Sequence, residues 1–266
     1  STFRPASRIA DLWLILSEAL RVQERYDEAR DALKQGLAVA ESGLSREDPL
    51  RASLVTNLAG LYKDQARYLD AEPLLSEALA FQRAAQPPDN DLIATAELNL
   101  AEVYRLQGRM DEAAPHYEAA LGLARRSFGN DNANTLPYLN QTAVFYRESG
   151  DLDRASALAA EALDVLARTV GEEHPLTAQS LNDLGELELA AGHPRAADSL
   201  ARRAIAIRQR ALGPAHVEVA VTRLLLARAL AANPSAPAGA AAAELEQATT
   251  VLDASRVDPE ARLVAA

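Results

Sequence analysis

The chain contains no cysteine, and its 266 residues include only one Trp, one Met, four Phe and 12 Gly. Without thiols there is no disulfide, no cysteine nucleophile and no cysteine-built zinc site, and the redox character of the compartment is left unwritten. So few aromatics and glycines leave little material for the strands and tight turns of an all-β fold. Ala and Leu, both strong helix formers, fill the sequence instead. Positive charge is also short. With 27 Lys and Arg against 38 Asp and Glu, the formal net charge is -11, so no chain-wide basic field draws the protein onto a phosphate backbone, and no nucleic-acid partner is expected. Long apolar runs are missing as well: Leu12–Leu16 is bracketed by Asp11 and Glu18 and falls far short of the roughly 20 residues that span a bilayer, so no membrane span is expected. The sequence opens on Ser1, as a trimmed chain or a mature form freed of a signal peptide would. The cytoplasm is the expected compartment, with the periplasm or the exterior as the alternative if a signal peptide was removed.

What the sequence does have is a repeat. Arg25–Ala29 (RYDEA), Arg67–Ala71 (RYLDA), Arg109–Ala113 (RMDEA), Asp151–Ala155 (DLDRA) and His193–Ala197 (HPRAA) align without a gap, and their closing alanines fall 42 residues apart at every step. Seven residues beyond each lies a second small residue: Gly36, Ala78, Ala120, Ala162 and Ala204. Two small residues seven apart share one helix face, where a neighbouring helix approaches closely. Upstream, Leu58–Tyr62, Leu100–Tyr104 and Thr142–Tyr146 repeat at the same step, and Leu184–Glu188 continues the column without its aromatic. A sixth, degenerate unit runs through Leu226–Leu230, a loop at Asn233–Gly239 and a segment whose small residue is Ala248, displaced by two extra loop residues.

Each unit reads as two amphipathic helices. Leu54, Val55, Leu58, Leu61 and Tyr62 recur at helical spacing in a first helix, and Leu74, Leu75, Ala78 and Leu79 do so in a second. Asp48, Asn90, Asn132, His174 and His216 sit 42 apart just before each first helix, as N-caps, and Pro49 and Pro175 follow two of them at the first helical position. The expected architecture is therefore all-α, about six antiparallel helix pairs and twelve helices, with unit bounds near 6–47, 48–89, 90–131, 132–173, 174–215 and 216–258, forming one domain over 1–266 or part of a longer protein.

The pattern Leu-Ala-x-x-Tyr, then Gln107–Ala113, Ala71–Leu79 and Leu212–His216, resembles the tetratricopeptide repeat, in the 42-residue variety of kinesin light chains and many bacterial proteins. The resemblance covers nearly the whole chain, although the first unit has Leu20 and the fifth Glu188 in place of the tyrosine. It implies a right-handed superhelical solenoid whose first helices line a concave face. One pair cannot bury both sides of its apolar stripe, so each unit needs neighbours. The two ends look uncapped, with Leu12, Trp13, Leu14, Ile15 and Leu16 at one and Leu263–Ala266 at the other, which suggests a fragment of a longer protein or contact with a partner subunit, self-association included.

Catalytic chemistry has no foothold in this pattern. There is no HExxH, no Cys/His cluster and no Gly-rich phosphate loop, the four histidines fall in capping or packing columns, and no cofactor is expected. The candidate site is the groove. Asn57, Asn99, Gln141 and Asp183 form one column on the first helices, and Thr56, Leu98, Asn140 and Asn182 form the next. A carboxamide carries donor and acceptor together, so a ladder of them suits an extended peptide backbone. A third column, Arg21, Lys63, Arg105 and Arg147, is basic, and the family resemblance implies that such positions hold peptide main chain and acidic groups. A plainer reading stands beside it: Glu18 lies three residues before Arg21 and Glu102 three before Arg105, in ordinary intrahelical pairs, and Asp64 and Glu148 dilute the positive field further. The tyrosine column is expected to pack between helices. The expected function is a non-catalytic scaffold that binds a protein or peptide in its groove. The alternative is a regulatory or oligomerisation domain that acts through its apolar ends.

Overall fold

The computed structural model describes residues 5–45, 48–84 and 90–257. Among them are twelve α-helices, one 3-10 turn and no strand. The chain divides into two compact units, residues 1–129 and 130–266. The first holds α1 (Pro5–Val22), α2 (Tyr26–Gly43), α3 (Pro49–Asp64), α4 (Tyr68–Ala84), α5 (Asn90–Leu106) and α6 (Met110–Phe128). In the second are the 3-10 turn Ala133–Thr135, α7 (Leu136–Ser149), α8 (Leu152–Val170), α9 (Pro175–Ala190), α10 (Pro194–Leu212), α11 (Val217–Ala232) and α12 (Ala240–Val257). Inside each unit every helix packs on the next one in sequence. The apolar segment Leu263–Ala266 and the ends of the expected units at 46–47, 85–89 and 258 lie outside the described residues.

The two small-residue columns are the crossings of this packing. Ala29, Ala71, Ala113, Ala155 and Ala197 are all fully buried, as are Ala120 and Ala204 in the second column. Ala248 is buried too, so the sixth unit closes in the displaced register. Gly36 departs from the alanines of its column for a steric reason. A Cβ there would meet Leu54 Cδ2 of α3 at 2.8 Å and Trp13 Cβ of α1 at 3.1 Å, because both neighbouring helices close on this point.

Capping follows the predicted column, with a shift at Asn132. Asp48 accepts from the Leu50 amide, and the His174 and His216 rings accept at Nδ1 from Leu176 and Glu218. The described part of α5 begins at Asn90, and Asn132 caps the 3-10 turn instead of an α-helix, accepting from the Asn134 amide. Pro137 causes that shift: lacking an N–H it gives nothing to the Ala133 carbonyl, which accepts from Leu136 in the tighter pattern.

The turn joining the helices of a pair repeats as well. Glu24, Ala66, Gly108, Gly150 and Gly192 all have positive φ, at 59°, 56°, 76°, 87° and 83°. Three units use glycine, for which this region is free, and two hold a side chain there at a cost of roughly 1 to 2 kcal/mol.

Candidate functional site

Across the turns of four units, a recurring pair fastens the two helices. Arg67 stacks on Tyr62 at 4.5 Å and Arg109 on Tyr104 at 4.4 Å. In the fourth unit the arginine has moved three places along, and Arg154 covers Tyr146 at 5.2 Å. Where the tyrosine becomes Glu188, the arginine becomes His193, and the two meet at 2.9 Å. The tyrosine column thus packs between helices. Burial raises the Tyr104 hydroxyl pKa above its ordinary value, with Glu72 adding to the effect. The sequence showed both columns but not that they pair across the turn.

Glu97 is a second arrangement that the periodicity hides. Its column neighbours are Leu139 and Leu181, and it is itself only 1% exposed on α5. His116 Nδ1 lies 2.6 Å from one carboxylate oxygen and Arg83 pairs with the other, so the buried charge is matched from both sides. His116 is therefore packed, as its column indicated, with a carboxylate beside it.

The basic column behaves differently in the two units. Arg21 reaches Glu18 at 2.8 Å and Asp64 at 3.1 Å; hydrogen bonding to Glu18, then to Asp64, raises its pKa, and that to Arg21 lowers the Glu18 pKa. Lys63 pairs with Glu102 on the next first helix. Arg105 donates to the Tyr117 hydroxyl at 3.2 Å. In the second unit, no carboxylate among the described residues pairs with the Arg147 guanidinium. The position matching Asp64 is Ala190, and the position matching Glu102 is Glu186, which is held by Arg228 through two contacts at 2.8 and 2.9 Å.

Arg147 stands beside a groove of about 410 Å³ between α7 and α9, floored by α8. Successive first helices pack directly in the pairs α1–α3, α3–α5 and α9–α11, whereas α7 and α9 approach less closely, and the groove opens between them. Asn140, Ala143, Val144 and Arg147 line it from α7, at the spacing of one helix face. The floor is Ala159, Ala162, Leu163 and Leu166, and α9 adds Ser180, Asp183, Leu184, Glu186 and Leu187. The surface is apolar in its depth and charged at its sides.

The predicted carboxamide ladder is only partly presented. Asn140 is exposed and lines the groove; Gln141, its neighbour, is half-buried and does not. In the first unit, Asn57 and Asn99 are half-buried, and the Asn57 amide donates to the Ser53 carbonyl of its own helix at 2.9 Å. Asn182 departs from the expectation: it is 8% exposed, and its Oδ1 is buried without a hydrogen-bond partner. The positions 42 residues either side of a given angle share that angle but not the helix that covers it. Asn140 stands open, whereas Asn182 turns inward. Among the described residues no cluster of three or more His, Cys, Asp or Glu side chains is arranged to hold a metal ion, and no helix is long and apolar enough to cross a membrane.

The family model of the tetratricopeptide repeat matches residues 8–84, 92–167 and 138–210. Among solved structures, BtubC (BKLC) from P. vanneervenii is 24% identical over 90% of both chains, with a TM-score of 0.66. A Podosopora anserina kinesin light chain with nearly identical TPR-like repeats is 20% identical, covering 95% of this chain and 99% of that one, with a TM-score of 0.56. The apo form of RapI is 12% identical over 96% of this chain and 98% of that one, at a TM-score of 0.65. No curated protein matches the sequence. The three structures share the fold, and the chain belongs to the tetratricopeptide repeat family.

Proposed function

We propose that this tetratricopeptide repeat protein is a non-catalytic binding module that holds an extended, acidic segment of a partner protein in the groove between α7 and α9. The observation that carries the reading is Arg147. It is a cation without a carboxylate partner among the described residues, standing beside an apolar groove with room for a large side chain. Burying one Leu- or Phe-sized side chain against Leu163, Leu166, Leu184 and Leu187 stabilises a complex by about 1.5 to 3 kcal/mol. The charge pair at the rim adds little affinity and much selectivity, because Asp183 and Glu186 on the opposite side repel a second carboxylate placed out of register. Asn140 adds a donor and an acceptor for the segment's main chain.

The test is to pan a random peptide display library against the intact protein and against Arg147→Glu. Peptides enriched by the intact protein are expected to carry an acidic residue near a large apolar one, and the variant is expected to lose them. Equal enrichment of the same acidic peptides by both proteins would sink the reading.

A further inference from the structure

The two walls of the groove between α7 and α9 carry opposite charge. Arg147 stands on the α7 wall, and Asp183 and Glu186 stand on the α9 wall. Glu186 is already neutralised by Arg228. Asp183 is exposed, and among the described residues no Lys, Arg or His forms an ion pair with it. Its Oδ1 accepts from the Gln179 side-chain amide at 2.8 Å, one turn earlier on α9. The orientation of that amide is set from below. Its oxygen accepts from Arg208 of α10, which is 3% exposed and donates also to the Glu218 carbonyl and the Thr222 hydroxyl. A buried arginine thus orients Gln179, and Gln179 holds one oxygen of Asp183. The other oxygen has no partner among the described residues.

α7 and α9 are equivalent helices of successive pairs, so positions 42 residues apart stand at one level along the groove. Arg147 is level with Leu189, and Asp183 lies six residues before Leu189, about 9 Å along the helix axis. An extended strand rises ~3.3 Å per residue and sends successive side chains to opposite sides, so residues three apart span that height and face opposite walls. We infer that the segment held in the groove is bipolar: three residues from the acid that meets Arg147, it carries a Lys or Arg that meets Asp183. A wholly acidic segment would set a carboxylate against Asp183, and a wholly basic one would set a cation against Arg147. The contact at Asp183 rests on the groove reading proposed above and supplies the second charge of the same ligand.

The test pans one random peptide display library against the intact protein, Arg147→Glu and Asp183→Lys, with the helix content of each checked by circular dichroism. Asp183 is exposed, so its variants are expected to fold as the parent does. Acidic peptides selected by the intact protein are expected to carry Lys or Arg three residues from the acid. Asp183→Lys should keep the acid and the apolar residue and lose the base. In a synthetic peptide of the selected sequence, replacing the base by alanine should weaken binding to the intact protein roughly two- to fivefold at low salt and less at high salt. The same replacement should leave binding to Asp183→Asn unchanged. Acidic peptides that Arg147→Glu loses but that carry no base, carry it at another spacing, or are selected with their base by Asp183→Lys would overturn the bipolar segment and leave the groove reading standing. Selection of the same acidic peptides by Arg147→Glu and the parent would overturn both.

Discussion

In the first unit the cations of the basic column are engaged within the fold, Arg21 by Glu18 and Asp64, Lys63 by Glu102, and Arg105 by a tyrosine hydroxyl; in the second, Arg147 occupies the same column without an acid among the described residues. The difference arises two helices away. Arg228 draws Glu186 towards α11, and the carboxylate that would have repeated the Lys63–Glu102 pair is no longer available. At an unchanged 42-residue register, Ala190 in place of Asp64 and the Arg228–Glu186 pair leave Arg147 without the carboxylates that engage Arg21 and Lys63. The turns differ in the opposite sense. The first unit holds Glu24 and Ala66 at positive φ beside Gly108, where the second has Gly150 and Gly192.

Four sets of substitutions break or sharpen that comparison. The largest effect should come from what the units share. Ala113→Leu in the first and Ala197→Leu in the second place a large side chain at a fully buried crossing, and each should cost roughly 1 to 3 kcal/mol in denaturant unfolding. Ala231→Leu, at an exposed site, should be close to neutral. If only one crossing proves sensitive, the units do not share their packing.

The turn comparison predicts gain on one side and loss on the other. Ala66→Gly should stabilise by about 1 kcal/mol and Gly150→Ala should destabilise by about as much, read as opposite shifts in melting temperature. Shifts of the same sign would show that the left-handed conformation is not what limits these turns.

Asn182 and Asn140 make a smaller test within one column. Asn182→Leu removes a buried acceptor that has no partner and restores the residue found at Leu98 and Leu224, so stability should rise by about 1 kcal/mol. Asn140→Ala should stay within about 0.5 kcal/mol of the parent. A marked loss of stability in Asn182→Leu would mean that the carboxamide is matched by a group its Oδ1 does not meet here.

The smallest effect bears on the groove directly. Arg228→Ala frees Glu186 to turn towards Arg147, and binding of an acidic segment should weaken by at most about fivefold although Arg228 does not itself line the groove. Lys63→Ala, which breaks the equivalent pair in the first unit, should leave that affinity unchanged. Equal losses for the two variants would remove Arg147 from its place in the comparison.

The unbroken 42-residue step was enough to read helix pairs, their number and the alanines at their crossings, because a residue's angle on a helix follows from counting. Counting also found the N-cap column, since a side chain that accepts from an amide two residues on needs no distant partner. It missed the pairing of Tyr104 with Arg109 and of Glu188 with His193, where the meaning lies in two columns taken together. What the sequence alone could not decide is which equivalent positions are equivalent in environment. Glu97 is buried in a leucine column because Arg83 and His116 reach it, Asn182 is buried where Asn140 is open, and Arg147 is left without an acid because Arg228 holds Glu186. Each outcome depends on which neighbouring side chain wins a shared partner. That competition is settled by distances between helices, which the tertiary structure sets and the register does not.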